Sequence, residues 1–311
     1  MSDKNLIVQL RPGIGDMCVF LSSIHEIIKK ENKNFVLLTK KRTRAKNFLQ
    51  EDNFIKEVIY IEDLKKDKLF GNIKILNFLK KNQFIKVFIM HYGIKYFILC
   101  KLAKVKKIFH YNFIKKNENI SKKIYNTTLE WLNIEKYDQT SKIKYTGEAF
   151  GQNKILIGIG SSGQSRRWDT RNFIELISKF NKLDNFNFYI LGGKSEKNQS
   201  DEIISQLNQN NIKCLCDYEI YDTFKYIKNS NFYVGTDSAF MHLSSALNVR
   251  TYGLFGDTPT NYSEYSNLIK PIIPKGYNSI THGSNAMKKN KTRGCFYNNK
   301  KYFILIFFIY L

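Results

Sequence analysis

The chain has 311 residues, a length that fits about two domains. Hydrophobic side chains make up 43% of it, which excludes general disorder. Its 50 basic against 27 acidic side chains leave a formal net charge of +23, a field that attracts polyanions without choosing among nucleic acid, an anionic membrane and a phosphorylated glycolipid.

Short apolar runs alternate with stretches of helical spacing, the pattern of parallel strand-helix-strand units. LIVQL at 6–10 reads as a first strand, ended by the glycine-containing turn RPGIGD. Over 17–30, Val19, Ile24, Ile27 and Ile28 recur at helical spacing. NFVLLT is a second strand, EVIYI and KVFIM follow, each behind a helical stretch, then KKIFHY as a strand and 121–131 as a helix. The polar stretch 142–153 is placed as a domain boundary. The pattern then restarts with the strand KILIGIG and a helix over 172–180, where Phe173, Leu176, Ile177 and Phe180 form an i, i+3, i+4, i+7 stripe. The strand NFYILGG, a helix over 196–207, the short strand IKCL, a helix over 221–228, the strand NFYVGTDS, a helix over 239–247 and the strand RTYGLFG complete the series. The expected domains are 1–147 and 148–280, both Rossmann-like α/β, with a basic and apolar tail at 281–311 that fits neither.

No basic segment leading into a long apolar run opens the chain, so no secretory signal is expected. The apolar run at 302–311 is about half the ~20 residues a transmembrane helix needs. It is expected either to pack back onto the protein or to insert shallowly at a membrane surface; the basic stretch 288–293 favours the membrane. The five cysteines, Cys18, Cys100, Cys214, Cys216 and Cys295, have no zinc-site spacing and read as reduced thiols of a cytoplasmic protein.

Three segments carry candidate chemistry, each between a strand and a helix, where open α/β sheets bind ligands. In the first, Gly13 and Gly15 permit a tight turn and Asp16 stands at the helix start, as a reactive carboxylate or as a helix cap. The third glycine of a dinucleotide fingerprint is missing, since position 18 is Cys. In the second, GSSGQSRRW, the hydroxyls of Ser161, Ser162 and Ser165, loop N–H groups and Arg166 with Arg167 could cradle a diphosphate. In the third, Asp237 and Ser238 sit where a strand yields to a helix, and His242 follows Ser238 by four residues on the same helical face. A ligand phosphate there gains from free N–H groups and the helix dipole.

Together, in this order and spacing, these segments resemble the signatures of glycosyltransferase family 9, which includes the lipopolysaccharide heptosyltransferases. RPGIGDMCVFLSSIHEI resembles its N-terminal loop and helix, GSSGQSRRWDTRNFIELI its donor loop, and VGTDSAFMHLSSALNVRTYGLFG its third signature; GGKSE at 192–196 resembles a weaker fourth. The likeness covers roughly 6–260. It implies a GT-B fold, two Rossmann-like domains facing each other across a cleft, with the acceptor on the N-terminal domain and the nucleotide sugar on the C-terminal one. It implies Asp16 as general base and Arg166 in place of the donor-loop lysine. It implies Glu196 toward the donor's nucleoside half, and Asp237, Ser238 and His242 at the donor. Ala239 stands where the family has glycine, Asp257-Thr258-Pro259-Thr260 departs from the family's turn, and the family's helical ending is not recognisable.

The implied activity is inverting transfer of a sugar, heptose ahead of others, from a nucleoside-diphosphate donor, ADP-heptose first, to a lipopolysaccharide or related anionic glycan acceptor. No cofactor is implied, and without the D-x-D of metal-dependent transferases no essential metal is expected. The protein is expected in the cytoplasm, in peripheral contact with the anionic inner face of the bacterial inner membrane. Two other readings compete. A basic nucleic-acid-binding protein fits the charge, but the basic residues are spread and no helix-turn-helix, zinc or RNP signature appears, so no specific nucleic acid is expected. Another Rossmann enzyme, such as an epimerase or dehydrogenase, has against it an incomplete glycine fingerprint in the first loop and no Tyr-x-x-x-Lys couple in the right context.

Overall fold

The computed structural model describes residues 4–64, 71–111, 119–161, 166–256 and 259–273; the tail at 281–311 lies outside them. The chain divides into two compact units, Met1–Lys144 and Tyr145–Leu311. Each is a parallel sheet covered by helices, the Rossmann-like α/β architecture that the alternation of apolar runs and helical stripes predicts.

The first unit has strands β1 (Lys4–Val8), β2 (Asn34–Thr39), β3 (Ile55–Tyr60), β4 (Lys86–Ile89) and β5 (Lys107–His110), in the order β3-β2-β1-β4-β5. Its helices are α1 (Ile14–Glu31), α2 (Ala45–Phe48), α3 (Ile61–Leu64), α4 (Gly71–Asn82), α5 (Ile94–Leu102) and α6 (Ile120–Leu132). β1 is central and buried from Asn5 to Val8, so its sequence is a continuous apolar run rather than an alternation. Its neighbours differ: Leu6 pairs with Val36 of β2 on one side and with Val87 of β4 on the other. The chain order reverses there, which opens a crevice at the carboxyl edge beside the turn after β1.

α1 carries that turn's functional end and is fixed along its length. Asn32 closes it in the left-handed region at φ 47, with Lys29 and Lys30 in the last turn near the negative end of the helix dipole. The hydroxyl of Ser141 donates to the Cys18 carbonyl and accepts from Ser22 N–H, while Ser23 Oγ and the Tyr137 hydroxyl lie 2.6 Å apart. His25 Nε2 meets Asp52 Oδ2 at 2.7 Å, and Asp52 Oδ1 accepts from Phe54 and Ile55 N–H.

Burial pushes the Asp52 carboxyl up, but the hydrogen bond and charge of His25 and the two N–H donors outweigh it, leaving Asp52 below the ordinary 3.8. A depressed carboxylate stabilises the fold above its unfolded pKa, and that contribution is lost as the pH falls through the folded value. The stability gap between wild type and Asp52→Asn in urea unfolding should therefore be wider at about pH 5 than at about pH 3. An equal gap at both would mean that the charge of Asp52 adds nothing.

The second unit has strands β6 (Lys154–Gly158), β7 (Asn187–Leu191), β8 (Ile212–Cys214), β9 (Phe232–Thr236), β10 (Thr251–Leu254) and β11 (Ile269–Ile272), in the order β11-β10-β9-β6-β7-β8. Its helices are α7 (Thr170–Asn181), α8 (Lys197–Leu207), α9 (Phe224–Ile227) and α10 (Ala239–Ala246). The stripe Phe173, Leu176, Ile177, Phe180 packs with Trp168 against Ile155, Ile157, Phe188 and Ile190 of the sheet. Here the order reverses between β6 and β9. β11 is an addition to the expected series, an edge strand among the described residues, a position that tolerates Pro271. Among the described residues, Cys18, Cys100, Cys214 and Cys216 are free thiols. No helix among them is long and apolar enough to cross a membrane.

Candidate active site

In the first unit the turn after β1 places Asp16 on the carboxyl edge. Gly13 is the N-cap of α1 and Asp16 its third residue, so the carboxylate reaches back: Oδ2 accepts from Gly13 N–H at 2.9 Å. Arg11 Nε donates to Oδ1 at 2.7 Å. With a donor on each oxygen the side chain is held in one rotamer. Gly13 has φ −87, open to any residue; it is needed for room, because a Cβ there would lie 2.7 Å from Asp16 Oδ2. Gly15 lies inside α1.

Other basic groups share this edge and carry no motif in the sequence. Gly93 N–H donates to His91 Nδ1 at 2.9 Å, and His110 Nε2 lies 3.1 Å from the His91 carbonyl oxygen. Burial first, then the charges of Lys40, His110 and Arg11, lower the pKa of His91, so its ring is neutral near pH 7. Each follows or ends a different strand: Arg11 after β1, Lys40 after β2, His91 after β4 and His110 in β5.

In the second unit the loops after β6, β7 and β9 meet at the switch point. Thr236 Oγ1, the last residue of β9, donates to the Gly160 carbonyl beyond β6. Gly192 lies close to Gly160, since a Cβ on Gly160 would be 3.6 Å from the Gly192 Cα. Glu196 is 6% exposed, and its carboxylate is a hub: Oε2 accepts from Gly193 N–H at 2.9 Å, Oε1 from Ser195 Oγ at 2.8 Å and from Arg167 Nη2 at 3.1 Å. Arg167 thus ties the donor-loop segment to Glu196. Ser161 follows Gly160 directly; Ser162 lies outside the described residues.

Ser238 is the N-cap of α10 but makes no side-chain cap bond; its Oγ lies 3.4 Å from the buried Tyr233 hydroxyl. His242 is buried within α10. Its Nδ1 is 2.8 Å from the Tyr265 hydroxyl and its Nε2 is 3.7 Å from Asp237 Oδ1. The Tyr265 ring stacks on it and that of Tyr262 meets it edge-on. Asp237, Ser238 and His242 are therefore one cluster at the start of α10. Ser161 and Glu196 lie at the ends of neighbouring strands, and Asp16 belongs to the other unit. Sequence reasoning missed Arg11 and Tyr265 as partners of the site, and it gave Arg167 to a phosphate where the structure has it on Glu196; Arg11 stands in the RPGIGD turn, and nothing near Tyr265 signals it.

The family model of "Glycosyltransferase family 9 (heptosyltransferase)" matches residues 81–297. Lipooligosaccharide heptosyltransferase 2 of Campylobacter jejuni subsp. jejuni serotype O:2 is 30% identical over 133 residues, 40% of this chain and 40% of that protein. That match thus spans about two fifths of the relative's length. Lipopolysaccharide heptosyltransferase 1 of Campylobacter coli is 23% identical over 88% of this chain and 90% of its own. Among solved structures, the E. coli heptosyltransferase WaaC with ADP-2-deoxy-2-fluoro heptose superposes with a TM-score of 0.67 at 13% identity, covering 92% of this chain and 98% of that one. At that identity the likeness shows the fold, the two Rossmann-like units of the GT-B class.

Proposed function

This chain belongs to glycosyltransferase family 9, and from that premise we propose that it is an inverting, metal-independent glycosyltransferase. Its reaction moves a sugar, heptose first, from a nucleoside-diphosphate donor to a lipopolysaccharide or related glycan acceptor. ADP-heptose is the donor chosen, because the relatives are named heptosyltransferases and a fold neighbour holds an ADP-heptose analogue. The observation that carries the reading is the meeting of the loops after β6, β7 and β9 at one switch point, with Glu196 and the start of α10 among them.

The acceptor hydroxyl attacks the anomeric carbon of the donor. Asp16 takes the hydroxyl proton as the new C–O bond forms, and Arg11 and Gly13 N–H hold the carboxylate in place for it. The bond from the anomeric carbon to the diphosphate breaks and the diphosphate leaves with the electron pair. Ser161, Ser162 and Arg166 balance its charge, and the N–H groups at the start of α10, beside Asp237, Ser238 and His242, add the helix dipole. Glu196, fixed by Arg167 and Gly193, faces the nucleoside half. On the acceptor side Arg11 and Lys40 suit an anionic glycan. Such an acceptor is lipid-anchored, so the reading carries with it a cytoplasmic protein in peripheral contact with the inner face of the bacterial inner membrane.

A panel of nucleotide sugars in a thermal-shift assay tests the donor, since a bound ligand raises apparent stability by mass action. ADP-heptose should shift the melting temperature most; no shift with any nucleotide sugar would overturn the reading. Arg166→Ala should weaken ADP binding by about 2 kcal/mol in calorimetry, the size of a charge-assisted hydrogen bond. Unchanged affinity would leave Arg166 outside the donor site.

A further inference from the structure

Apart from Lys95 and Lys101, the side chains of α5 are all apolar, a composition that ordinarily marks a helix buried on most of its surface. One side is buried: Tyr96, Leu99 and Cys100 face the core of the first unit. The other is open. Ile94, Ile98 and Leu102, spaced i, i+4, i+8 along one face, are 59%, 48% and 57% exposed. Tyr92, just before the helix, and Ile73 of the neighbouring α4 are also half exposed. A contiguous stripe of large apolar side chains left in water marks an interaction surface.

The charge around the stripe says what covers it. Helical spacing puts Lys101 on one flank and Lys95 on the other. Their ammonium groups lie over the Phe97 and Tyr96 rings, 5.5 and 5.9 Å from the centroids. Lys104, Lys106 and Lys107 follow, all exposed, and from Gly71 to Tyr111 the sequence holds no aspartate or glutamate. A second copy of this face would oppose lysine to lysine, against which Glu62 of α3, whose charge reaches Tyr96, sets one carboxylate, so the surface disfavours self-association. An anionic bilayer complements it in both respects: the apolar stripe enters the acyl boundary, the lysines reach the phosphates, and Tyr92 sits at headgroup level.

We propose that the outer face of α5, Ile94, Ile98 and Leu102 between Lys95 and Lys101, docks flat onto a bilayer surface bearing anionic headgroups. The helix spans only about 14 Å, so it lies in the interface rather than crossing it. α5 begins directly after β4, on the same carboxyl edge of the sheet where Asp16 stands. Docking there brings the acceptor edge of the first unit beside the headgroups, a consequence that rests on the glycosyltransferase reading; the docking itself does not.

The test is co-sedimentation of the full chain with vesicles of phosphatidylglycerol and phosphatidylethanolamine, compared with pure phosphatidylcholine. The triple variant Ile94→Ser, Ile98→Ser, Leu102→Ser should bind the anionic vesicles roughly tenfold more weakly. Lys95→Glu with Lys101→Glu should lose a similar factor at low salt and less at high salt, about as expected for surface charge. Both variants change exposed side chains and should keep the wild-type melting temperature. Undiminished vesicle binding in both overturns the proposal, as does a wild-type dimer that the serine variant dissolves without effect on vesicles. Because the assay reads binding and not turnover, a protein that transferred no sugar would still reveal whether this face docks.

Discussion

Asp16→Asn should reduce sugar transfer by roughly a hundredfold or more, the size of a lost general base, while donor affinity and melting temperature stay close to wild type. The isostere separates two roles that the geometry combines in one side chain. An asparagine at this position would still offer an oxygen to Gly13 N–H, so the cap of α1 survives. It would weaken the bond from Arg11 Nε, now 2.7 Å to a carboxylate, and it would have no basic oxygen for an acceptor proton. Asp16→Ala removes the cap as well and should add a stability loss of about 1 kcal/mol. Steady-state turnover, donor titration and thermal unfolding of both variants separate the two roles. Near-normal turnover in the Asn variant, with the Ala variant merely less stable, would reduce Asp16 to a structural cap.

The elements of this fold were legible where burial is two-sided. β1, β6 and β9 are central strands, and their unbroken apolar runs mark them directly; α7 shows its stripe because one face is wet. Legibility fails at the margins. β11 carries Lys270 and Pro271 and, among the described residues, lies at the sheet edge, so it has neither the apolar run nor the alternation of a strand. α5 has no amphipathic contrast, because the face turned to solvent is as apolar as the face turned inward. The candidate site divides in the same way. Local chemistry placed Asp16 at a helix start, but that Gly13 is the cap and Arg11 the partner depends on the turn's three-dimensional path. Glu196 stood in a recognisable segment, yet its bond to Arg167 joins residues 29 apart in sequence. His242 could be put on a helical face, but its stacking on Tyr265 depends on how the chain returns after β10.

Gly235→Ala should be among the most damaging single-methyl changes available to the second unit. Gly158 of β6 and Gly235 of β9 are register partners in the two strands that flank the switch point. A Cβ on Gly235 would run into the Gly158 carbonyl oxygen and lie 2.5 Å from its Cα and 2.6 Å from its nitrogen. All three are backbone atoms, so no side chain can swing aside and the strands must part. Parting them moves the ends that carry Gly160–Ser161 on one side and Asp237–Ser238 on the other, and breaks the Thr236 hydroxyl link between the two loops. The expected loss is about 3 kcal/mol, the upper end for overpacking a tight core, or a fall in melting temperature of roughly 6–12 °C for a domain of this size. ADP affinity should fall with it, because the donor loops lose their shared anchor. Gly253→Ala is the control: its added Cβ would meet the Met241 sulfur at 2.5 Å and the Phe255 ring at 2.8 Å, side chains of which the methionine can rotate away. Its loss should be smaller and its ADP affinity nearer to wild type. A melting temperature for Gly235→Ala within about 2 °C of wild type, less than about 1 kcal/mol in a domain this large, would show that β6 and β9 can separate at little cost and that their close approach does not set the loops.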